Sequence, residues 1–331
     1  MELTHGKLHW LNDVYLIGDK LYSNKINSNC EISVAHQTKI KVHSAFYWDK
    51  GLWQERTLAA ERKIESAFLH KRHAIAGYSH IVGDECFPIF YMLEKNRIKI
   101  DGIINIPNSE RVSDLTQTWD KTLEKLTPYS VIENREVSEG VANVYIRNAY
   151  CGWQTNTLTF KDKNFDYGSY AEQVRLKLKV KNNFNKDKII FEIRNGDRRK
   201  IVNIDQIKSE MSDLNIEFVS FSNMTNKEQI ETVYNAGTLI AQHGAGLTNA
   251  IFMKPGSKVI ELLPESYKEY GSYELFAKMF GINYIRHIEP EKNCIAKEGE
   301  EDKQEYKKNK DLIIDVKKLR DEMISYSSDK P

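Results

Sequence analysis

The sequence lacks three features that would place it in a common class. Its four cysteines lie far apart and form no C-x-x-C pair, which argues against a metal site or redox dithiol and fits a reducing compartment. No run reaches the ~18 apolar residues of a membrane span. The G-x-G-x-x-G fingerprint is also absent, and this argues against a dehydrogenase.

Neither basic nor acidic residues are in excess. The chain has 48 basic and 47 acidic residues and a net charge of +1, so the sequence as a whole has no attraction for nucleic acid. We therefore predict no nucleic-acid partner. Any recognition of phosphate groups must come from local clusters of basic residues.

Length and hydrophobic content indicate two folded domains. The 331 residues are long for one domain and suit two of about 150 residues each. Hydrophobic residues make up 40% of the chain and aromatic residues 11%, which is enough for sizeable cores. The amino terminus, M-E-L-T-H-G-K-L-H-W, lacks the basic and apolar regions of a signal peptide. We expect a cytoplasmic protein without a membrane span, although peripheral association with a membrane would be compatible.

The first half of the chain predicts a mixture of strands and helices. The alternation in residues 1–50 predicts a β-hairpin, whereas residues 53–69 have helical spacing. Further along, the pattern predicts a strand at 98–104, a helix at 116–126 and a strand at 141–153. The polar stretch 162–168 predicts a boundary between domains of residues 1–165 and 166–331.

The second half alternates short apolar runs with amphipathic segments, a pattern typical of an α/β domain with a parallel sheet. The predicted strands are 188–194, 217–221, 239–243, 259–263 and 284–288, and the predicted helices between them are 204–214, 227–235, 247–253 and 273–280. Asn203 with Gln206 predicts a helix N-cap and its reciprocal partner. We expect a solvated loop at 289–310 and a closing helix at 312–326.

The most informative stretch is L-I-A-Q-H-G-A-G-L-T-N, residues 239–249. An apolar strand ends at His243, and Gly244, Ala245 and Gly246 form a tight turn before a short helix. In an open α/β sheet, backbone N–H groups at this carboxyl edge can meet a phosphate-bearing ligand. The stretch therefore predicts a binding site.

Polar side chains near this turn are candidates for ligand contact. Arg194 and Arg199 follow another strand, and their planar donor forks match phosphate oxygens, although a solvated basic turn has the same sequence. Glu261 interrupts an apolar strand and needs hydrogen-bond donors, which ribose hydroxyls or backbone amides would supply. Thr248 and Asn249 lie in the first turn of the short helix, where pyrophosphate contact and plain capping fit equally well.

A second polar motif lies in the first half of the chain. If residues 78–93 are helical, His80 and Asp84 are four residues apart and share one face. Pro88 has no N–H to donate, so the helix should bend or break near it. A polar pair beside a helix break indicates a functional site more than a core.

Together these motifs resemble those of glycosyltransferase family 61. The resemblance rests on H-G-A-G-L-T-N with the following F-M-K-P-G and V-I-E-L, on an H-x-x-x-D pair before a proline, and on spacing similar to R-x-x-x-R-R from Arg194 to Arg199. The family includes capsular-polysaccharide enzymes of bacteria and O-linked sugar transferases of eukaryotes. Membership implies the GT-B architecture, in which two Rossmann-like domains face a cleft, with the acceptor side in the first domain and the nucleotide sugar bound by the second.

The resemblance also implies inverting transfer of a sugar from a UDP-linked donor to a glycan or glycoprotein acceptor. Inversion needs a base for the acceptor hydroxyl, and we expect Asp84 to act as that base. His80 would orient Asp84 or exchange roles with it, and Glu85 is the further alternative. His243 could donate to a phosphate oxygen or to a hydroxyl of the donor sugar.

The donor-binding residues implied by the resemblance are Arg194, Arg199, His243, Gly244, Ala245, Gly246, Thr248, Asn249 and Glu261. The sequence has no D-x-D motif of the kind that holds a divalent ion in GT-A enzymes. We therefore expect no metal and no cofactor besides the nucleotide sugar. Basic side chains and helix N-termini would meet the charge of the departing diphosphate instead.

Two other functions fit the same motifs. A polysaccharide-modifying transferase, for instance of pyruvyl groups, would bind phosphoenolpyruvate and no nucleotide. A nucleotide-sugar or glycan-binding module without a base would be unaffected by Asp84→Ala. The sequence alone does not separate hexosyl from pentosyl transfer.

Overall fold

The computed structural model describes most of the chain. The described residues are 7–17, 20–23, 30–35, 38–44, 60, 62–71, 77–106, 121–132, 144–153, 162, 164–297, 299 and 304–325. They divide into two units, Met1–Phe165 and Asp166–Pro331. None of the helices among these residues has the length and apolar content needed to cross a membrane.

Within its described residues, the first unit contains a mixed eight-stranded sheet. Its strands are β1 (Lys7–Ile17), β2 (Lys20–Ser23), β3 (Cys30–Ala35), β4 (Thr38–Ser44), β5 (Arg62–Lys71), β6 (Gly102–Ile106), β7 (Val131–Ile132) and β8 (Val144–Trp153). They lie in the order β3-β4-β2-β1-β8-β5-β6-β7. β1 is antiparallel to β2 and β8, whereas β5 is parallel to β8 and β6. The hairpin expected near the start of the chain is confirmed by β1 and β2.

The helix predicted at residues 53–69 is wrong over its described part. Residues 62–71 form β5, which pairs with β8 on one side and β6 on the other. Ile64, Phe68 and Leu69 are all buried. A strand covered on both faces does not alternate, so its apolar residues had the spacing of an amphipathic helix. Residues 53–59 lie outside the described part of the chain.

Helix α1 carries the predicted polar pair. It consists of an α-helical turn, Tyr78–His80, a π-helical segment, Ile81–Cys86, and an α-helical segment, Phe87–Lys95. The chain stays helical through Pro88, so the predicted break does not occur. Pro88 is the second residue of the last segment and follows the π-helical segment almost directly. The local irregularity of the helix therefore lies just before the residue that has no N–H to donate.

The remaining predictions for the first unit are largely confirmed. β6 and β8 correspond to the expected strands, and residues 121–126 form helix α2, although 116–120 lie outside the described residues. Helix α1 packs its apolar face on the sheet. The buried residues that meet there are Leu8, Phe68, Ile89, Met92, Leu93 and Ile103.

The second unit contains a five-stranded sheet in the order β10-β9-β11-β12-β13, and every pairing in it is parallel. Its strands are β9 (Asn185–Glu192), β10 (Ile216–Val219), β11 (Ala236–Gln242), β12 (Lys258–Pro264) and β13 (Asn283–Glu289). Its helices are α3 (Gly168–Leu178), α4 (Ile204–Glu210), α5 (Asn226–Tyr234), the 3-10 helix (Ala245–Phe252), α6 (Ser272–Met279) and α7 (Val316–Ser325). The predicted alternation and the parallel sheet are both confirmed.

The N-cap prediction at Asn203 is wrong in its hydrogen bonds. Helix α4 does begin directly after Asn203, but the side chain caps no backbone N–H of that helix. Its Nδ2 donates to Gln206 Oε1 and to the backbone oxygen of Ile314, and its Oδ1 accepts from the Ile314 N–H. A tertiary contact with the carboxyl-terminal segment therefore replaces the local cap.

The solvated loop expected at 289–310 is only partly correct. Its described residues include two 3-10 turns, Glu291–Asn293 and Gln304–Asn309, and strand β14, Cys294–Ile295. β14 pairs antiparallel with β15, Asp311–Leu312. Residues 298 and 300–303 lie outside the described part. The closing helix is confirmed as α7.

A buried histidine fixes α7 to the edge strand β13. His287 is fully buried, its Nε2 lies 2.7 Å from Glu289 Oε1, and its Nδ1 lies 2.6 Å from Glu322 Oε2 on α7. Burial alone would lower the pKa of His287, but these two carboxylates raise it overall. Burial alone would raise the pKa of Glu289, but bonds from His287, Asn293 and the Asp315 backbone N–H lower it overall.

We predict that this cluster stabilises α7 most between pH 4.5 and 6.5, the ordinary pKa values of the two groups. The His287 contribution is complete below 6.5 and is lost as pH rises through its raised folded pKa. The Glu289 contribution is complete above 4.5 and is lost as pH falls through its lowered folded pKa. His287→Gln should reduce the protection of α7 amides from hydrogen exchange in this window by about 3 kcal/mol.

The matched control is Asp213→Asn, which breaks the exposed ion pair between Asp213 and Arg320 on the same helix. Exposed pairs contribute little, so the protection of α7 should be nearly unchanged. Equal loss of protection in both variants, or parallel pH profiles for His287→Gln and the unmodified protein, would contradict the prediction.

Candidate functional site

The predicted glycine turn lies at the carboxyl edge of the parallel sheet. β11 ends at Gln242, His243 and Gly244 follow, and the 3-10 helix begins at Ala245. Gly244 has φ 154° and ψ −173°, a backbone conformation that only glycine adopts readily. The first N–H groups of a helix have no acceptor inside it, so the amides at this turn are available to a ligand.

Both predicted arginines approach this turn. A Cβ atom added at Gly244 would clash with the Nη1 atoms of Arg194 and Arg199. Arg199 has a left-handed backbone conformation, with φ 59°, and its Nη1 donates to the backbone oxygen of His243 at 2.9 Å. Among the described residues, the Arg194 guanidinium has no hydrogen bond and no ion pair. The structure therefore brings two cationic side chains to the same glycine.

The two arginines concentrate positive charge at the turn. Burial lowers the pKa of Arg199, and the neighbouring Arg194 charge lowers it further. The buried Nε of Arg199 has no hydrogen-bond partner among the described residues. Two half-buried guanidinium groups beside unpaired amides are the donor set that an anion with several oxygens requires.

His243 is held by the buried carboxylate in the next strand. Its Nδ1 lies 2.6 Å from Glu261 Oε1, and the two residues are 4% and 1% exposed. In the sheet, Glu261 lies beside Ala241, two residues before His243. The pairing gives the buried Glu261 carboxylate a donor within the protein. It also fixes the orientation of the imidazole ring.

Three tyrosines surround the His243 ring, and the sequence analysis did not identify them. Tyr267, Tyr270 and Tyr273 lie edge-on to it, with ring centroids 4.8, 5.2 and 5.1 Å away. Tyr267 and Tyr270 also stack on each other at 5.0 Å. Burial raises the pKa of Tyr267, and the nearby Tyr270 and Glu261 raise it further.

Glu192 is a second residue that the sequence analysis missed. It is the last residue of β9, is 6% exposed and lies beneath the glycine turn. A Cβ added at Gly246 would lie 3.4 Å from its carboxyl carbon. A signal existed, because a carboxylate ending the apolar run I-I-F-E is as unusual as the one in β12.

The other predicted residues of the turn lie in the 3-10 helix. Ala245 and Gly246 are partly exposed at its start, whereas Thr248 and Asn249 are buried. Asn249 Nδ2 donates to Gln229 Oε1 on α5 at 3.0 Å, which fixes the two helices to each other. Thr248 Oγ1 is buried and has no hydrogen-bond partner among the described residues.

The predicted catalytic pair lies in the first unit, on α1. His80 Nδ1 and Asp84 Oδ2 are 2.6 Å apart, and the side chains are 43% and 19% exposed. The spacing of four residues therefore places them together as predicted. Glu85 is buried, and its Oε2 lies 3.8 Å from Nε2 of the buried His70. Of the three candidate groups, His80 and Asp84 are thus the ones that a substrate could reach.

No group of three or more His, Cys, Asp or Glu side chains placed to hold a metal ion lies among the described residues. The polar groups at the glycine turn are instead donors of hydrogen bonds and positive charge. This arrangement favours a phosphate-bearing ligand.

Comparison with known proteins identifies the family. The model of the Glycosyltransferase 61 family matches residues 78–260, which is more than half of the chain. The chain belongs to this family. The match begins at helix α1 and contains the His80–Asp84 pair, both arginines and His243; Glu261 lies one residue beyond it. The family resemblance inferred from the sequence is therefore confirmed.

A plant protein shares a shorter segment with the chain. Beta-1,2-xylosyltransferase RCN11 of Oryza sativa subsp. japonica is 33% identical over 61 residues. The segment covers 18% of this chain and 11% of the rice protein, so most of that relative has no counterpart in the comparison.

We predict that Gly244→Ala weakens anion binding at the turn. The new Cβ would lie 2.8 Å from Arg199 Nη1 and would also clash with Arg194. Isothermal titration with inorganic pyrophosphate should show an affinity reduced by at least roughly tenfold, or about 1.4 kcal/mol.

Gly256→Ala is the matched control. Gly256 also has positive φ, at 84°, but an added Cβ would meet no atom within 4 Å. Both variants should lose about 1–3 kcal/mol of stability through backbone strain. Equal pyrophosphate affinity in the two variants would show that the arginines at Gly244 do not bind the anion.

Proposed function

We propose that the protein is an inverting glycosyltransferase that works without a metal ion. It moves a sugar from a UDP-linked donor to a glycan or glycoprotein acceptor in the cytoplasm. In this proposal the second unit binds the donor, and the first supplies the acceptor side and the base of a GT-B glycosyltransferase. The observation that carries this proposal is the pair of arginines whose guanidinium groups converge on Gly244.

The donor's diphosphate accounts for the charge of the site. Transfer breaks the bond between the anomeric carbon and the phosphate oxygen, and the electron pair leaves with the diphosphate. Arg194 and Arg199 bind that charge with N–H groups already in position, which lowers the barrier more than mobile water does. The amides at Gly244 and Ala245 add donors that cost no side-chain entropy.

His243 supplies a further donor to the phosphate or to a hydroxyl of the donor sugar. The Glu261 carboxylate accepts the N–H at Nδ1 and holds the ring in one orientation, which leaves Nε2 as the ring nitrogen that a ligand would meet. Asn249 holds the 3-10 helix to α5 behind the turn through its bond to Gln229. In this arrangement Glu261 acts through His243 and does not contact the ligand.

Asp84 and His80 act at the other end of the reaction. The acceptor hydroxyl attacks the anomeric carbon from the face opposite the diphosphate, and its proton passes to Asp84. The 2.6 Å contact with His80 Nδ1 orients the carboxylate. The burial of Glu85 beside His70 supports Asp84 as the base.

A thermal-shift panel of nucleotide sugars, each measured with and without EDTA, tests the proposal. The rice relative is named for xylosyl transfer, so UDP-xylose is the first donor to measure. A donor present at one hundred times its Kd should stabilise the protein by about 2.7 kcal/mol, and EDTA should leave this shift unchanged. Stabilisation by phosphoenolpyruvate and by no nucleotide, or a shift that EDTA removes, would contradict the proposal.

Asp84→Asn separates catalysis from binding. We expect turnover to fall by about 10²–10⁴-fold, because the acceptor proton loses its base, while the thermal shift with the donor is retained. Glu94→Gln, an exposed change at the end of the same helix, serves as the control and should keep turnover. Full activity of Asp84→Asn would show that Asp84 is not the base, whereas donor binding without turnover in the unmodified protein would identify a binding module.

A further inference from the structure

Glu192 is a buried carboxylate with one oxygen that accepts no hydrogen bond from the described residues. It lies at the carboxyl end of β9, where parallel strands present side chains to a ligand. It is 6% exposed, and its Oε2 is buried with no hydrogen-bond partner among the described residues. A buried carboxylate oxygen without a donor is costly, so the site is complete only with a partner from outside.

The surroundings of Glu192 place it inside the site already described. Its carboxyl carbon and Oε2 lie 3.4 and 3.5 Å from the position of a Cβ at Gly246, so this glycine gives the carboxylate room beneath the turn. Arg194 and Arg199 lie close enough to act on its charge, but neither forms an ion pair with it. Burial raises the pKa of Glu192, and the two arginines partly offset the rise.

The two arginines and the Glu192 carboxylate would each bind a different group of a ligand. Phosphate oxygens go to the arginines, and a carboxylate repels them. A carboxylate accepts hydrogen bonds only, and its two oxygens match two adjacent hydroxyl groups. A ligand that combines a diphosphate with a vicinal diol satisfies the arginines and Glu192 together.

Glu261, the carboxylate that the sequence analysis linked to ribose, has a hydrogen-bond partner within the protein. It is 1% exposed, and its Oε1 pairs with His243 at 2.6 Å. Among the described residues, Glu192 Oε2 has no such partner. The two buried carboxylates therefore have separate roles, one toward the histidine and one toward the ligand.

We propose that Glu192 accepts hydrogen bonds from a vicinal hydroxyl pair of a sugar joined to the bound diphosphate. This inference rests on the proposed function, because it takes the diphosphate as bound by Arg194 and Arg199. Two sugars of a nucleotide sugar carry such a pair, the ribose and the transferred sugar. Glu192 thereby distinguishes a nucleotide sugar from free pyrophosphate.

Isothermal titration with four probes tests this inference. The probes are inorganic pyrophosphate, UDP, 2′,3′-dideoxy-UDP and UDP-xylose, and the proteins are the unmodified chain, Glu192→Gln and Glu261→Gln. We expect Glu192→Gln to weaken UDP binding by roughly ten- to a hundredfold, because hydrogen bonds to a charged group are lost. Pyrophosphate affinity should stay the same or rise, since the change removes a negative charge beside the arginines.

The dideoxy probe provides a measurement that needs no variant. The unmodified protein should bind 2′,3′-dideoxy-UDP more weakly than UDP, and Glu192→Gln should bind the two equally. If the hydroxyls belong to the transferred sugar, the loss in Glu192→Gln appears with UDP-xylose and not with UDP. Glu261→Gln should not reproduce either pattern.

Other results would overturn the inference. An equal loss for pyrophosphate and all nucleotides in Glu192→Gln would make Glu192 a support for the arginines. A hydroxyl-dependent loss confined to Glu261→Gln would return the diol to that residue. If the unmodified protein binds neither pyrophosphate nor any nucleotide, the proposed function itself fails, and this outcome is distinct from the other two.

Discussion

The arrangement around Gly244 depends on two like charges being held side by side. Arg194 and Arg199 approach the same glycine, and the buried Glu192 carboxylate lies close enough to act on both charges. Gly244 makes this approach possible because it has no Cβ and adopts a conformation closed to other residues. The bond from Arg199 to the His243 carbonyl then fixes one guanidinium to the end of β11. The two guanidinium groups repel each other, and a multiply charged anion bound at this turn would offset that repulsion.

Each buried carboxylate in the second unit needs hydrogen-bond donors, and the sources of those donors differ. Glu289 receives donors from His287, Asn293 and a backbone amide, and Glu261 receives His243. Both are therefore satisfied within the protein. Glu192 is similarly buried, but its Oε2 has no donor among the residues that the structure describes. This contrast is the basis of the ligand role proposed for Glu192.

Sequence patterns predicted local structure well where the spacing of residues along the chain determines it. The spacing of His80 and Asp84 predicted their contact, and the alternation of the second half predicted the parallel sheet. The patterns failed where tertiary contacts replaced local ones. β5 lies between two strands and is covered on both faces, so its apolar spacing imitated a helix. Asn203 bonds to Ile314, far along the chain, and a local capping rule has no access to such a partner.

The sequence by itself determined the family, the glycine turn and the two arginines, because these depend on residue types at fixed short spacings. Only the tertiary structure decided which carboxylate serves which purpose. Glu192 and Glu261 both interrupt apolar strands, and nothing local distinguishes them. The fold places Glu261 beside His243 and Glu192 beneath Gly246. Hydrogen-bond satisfaction depends on neighbours brought together by strand order and loop path, which a linear pattern does not contain.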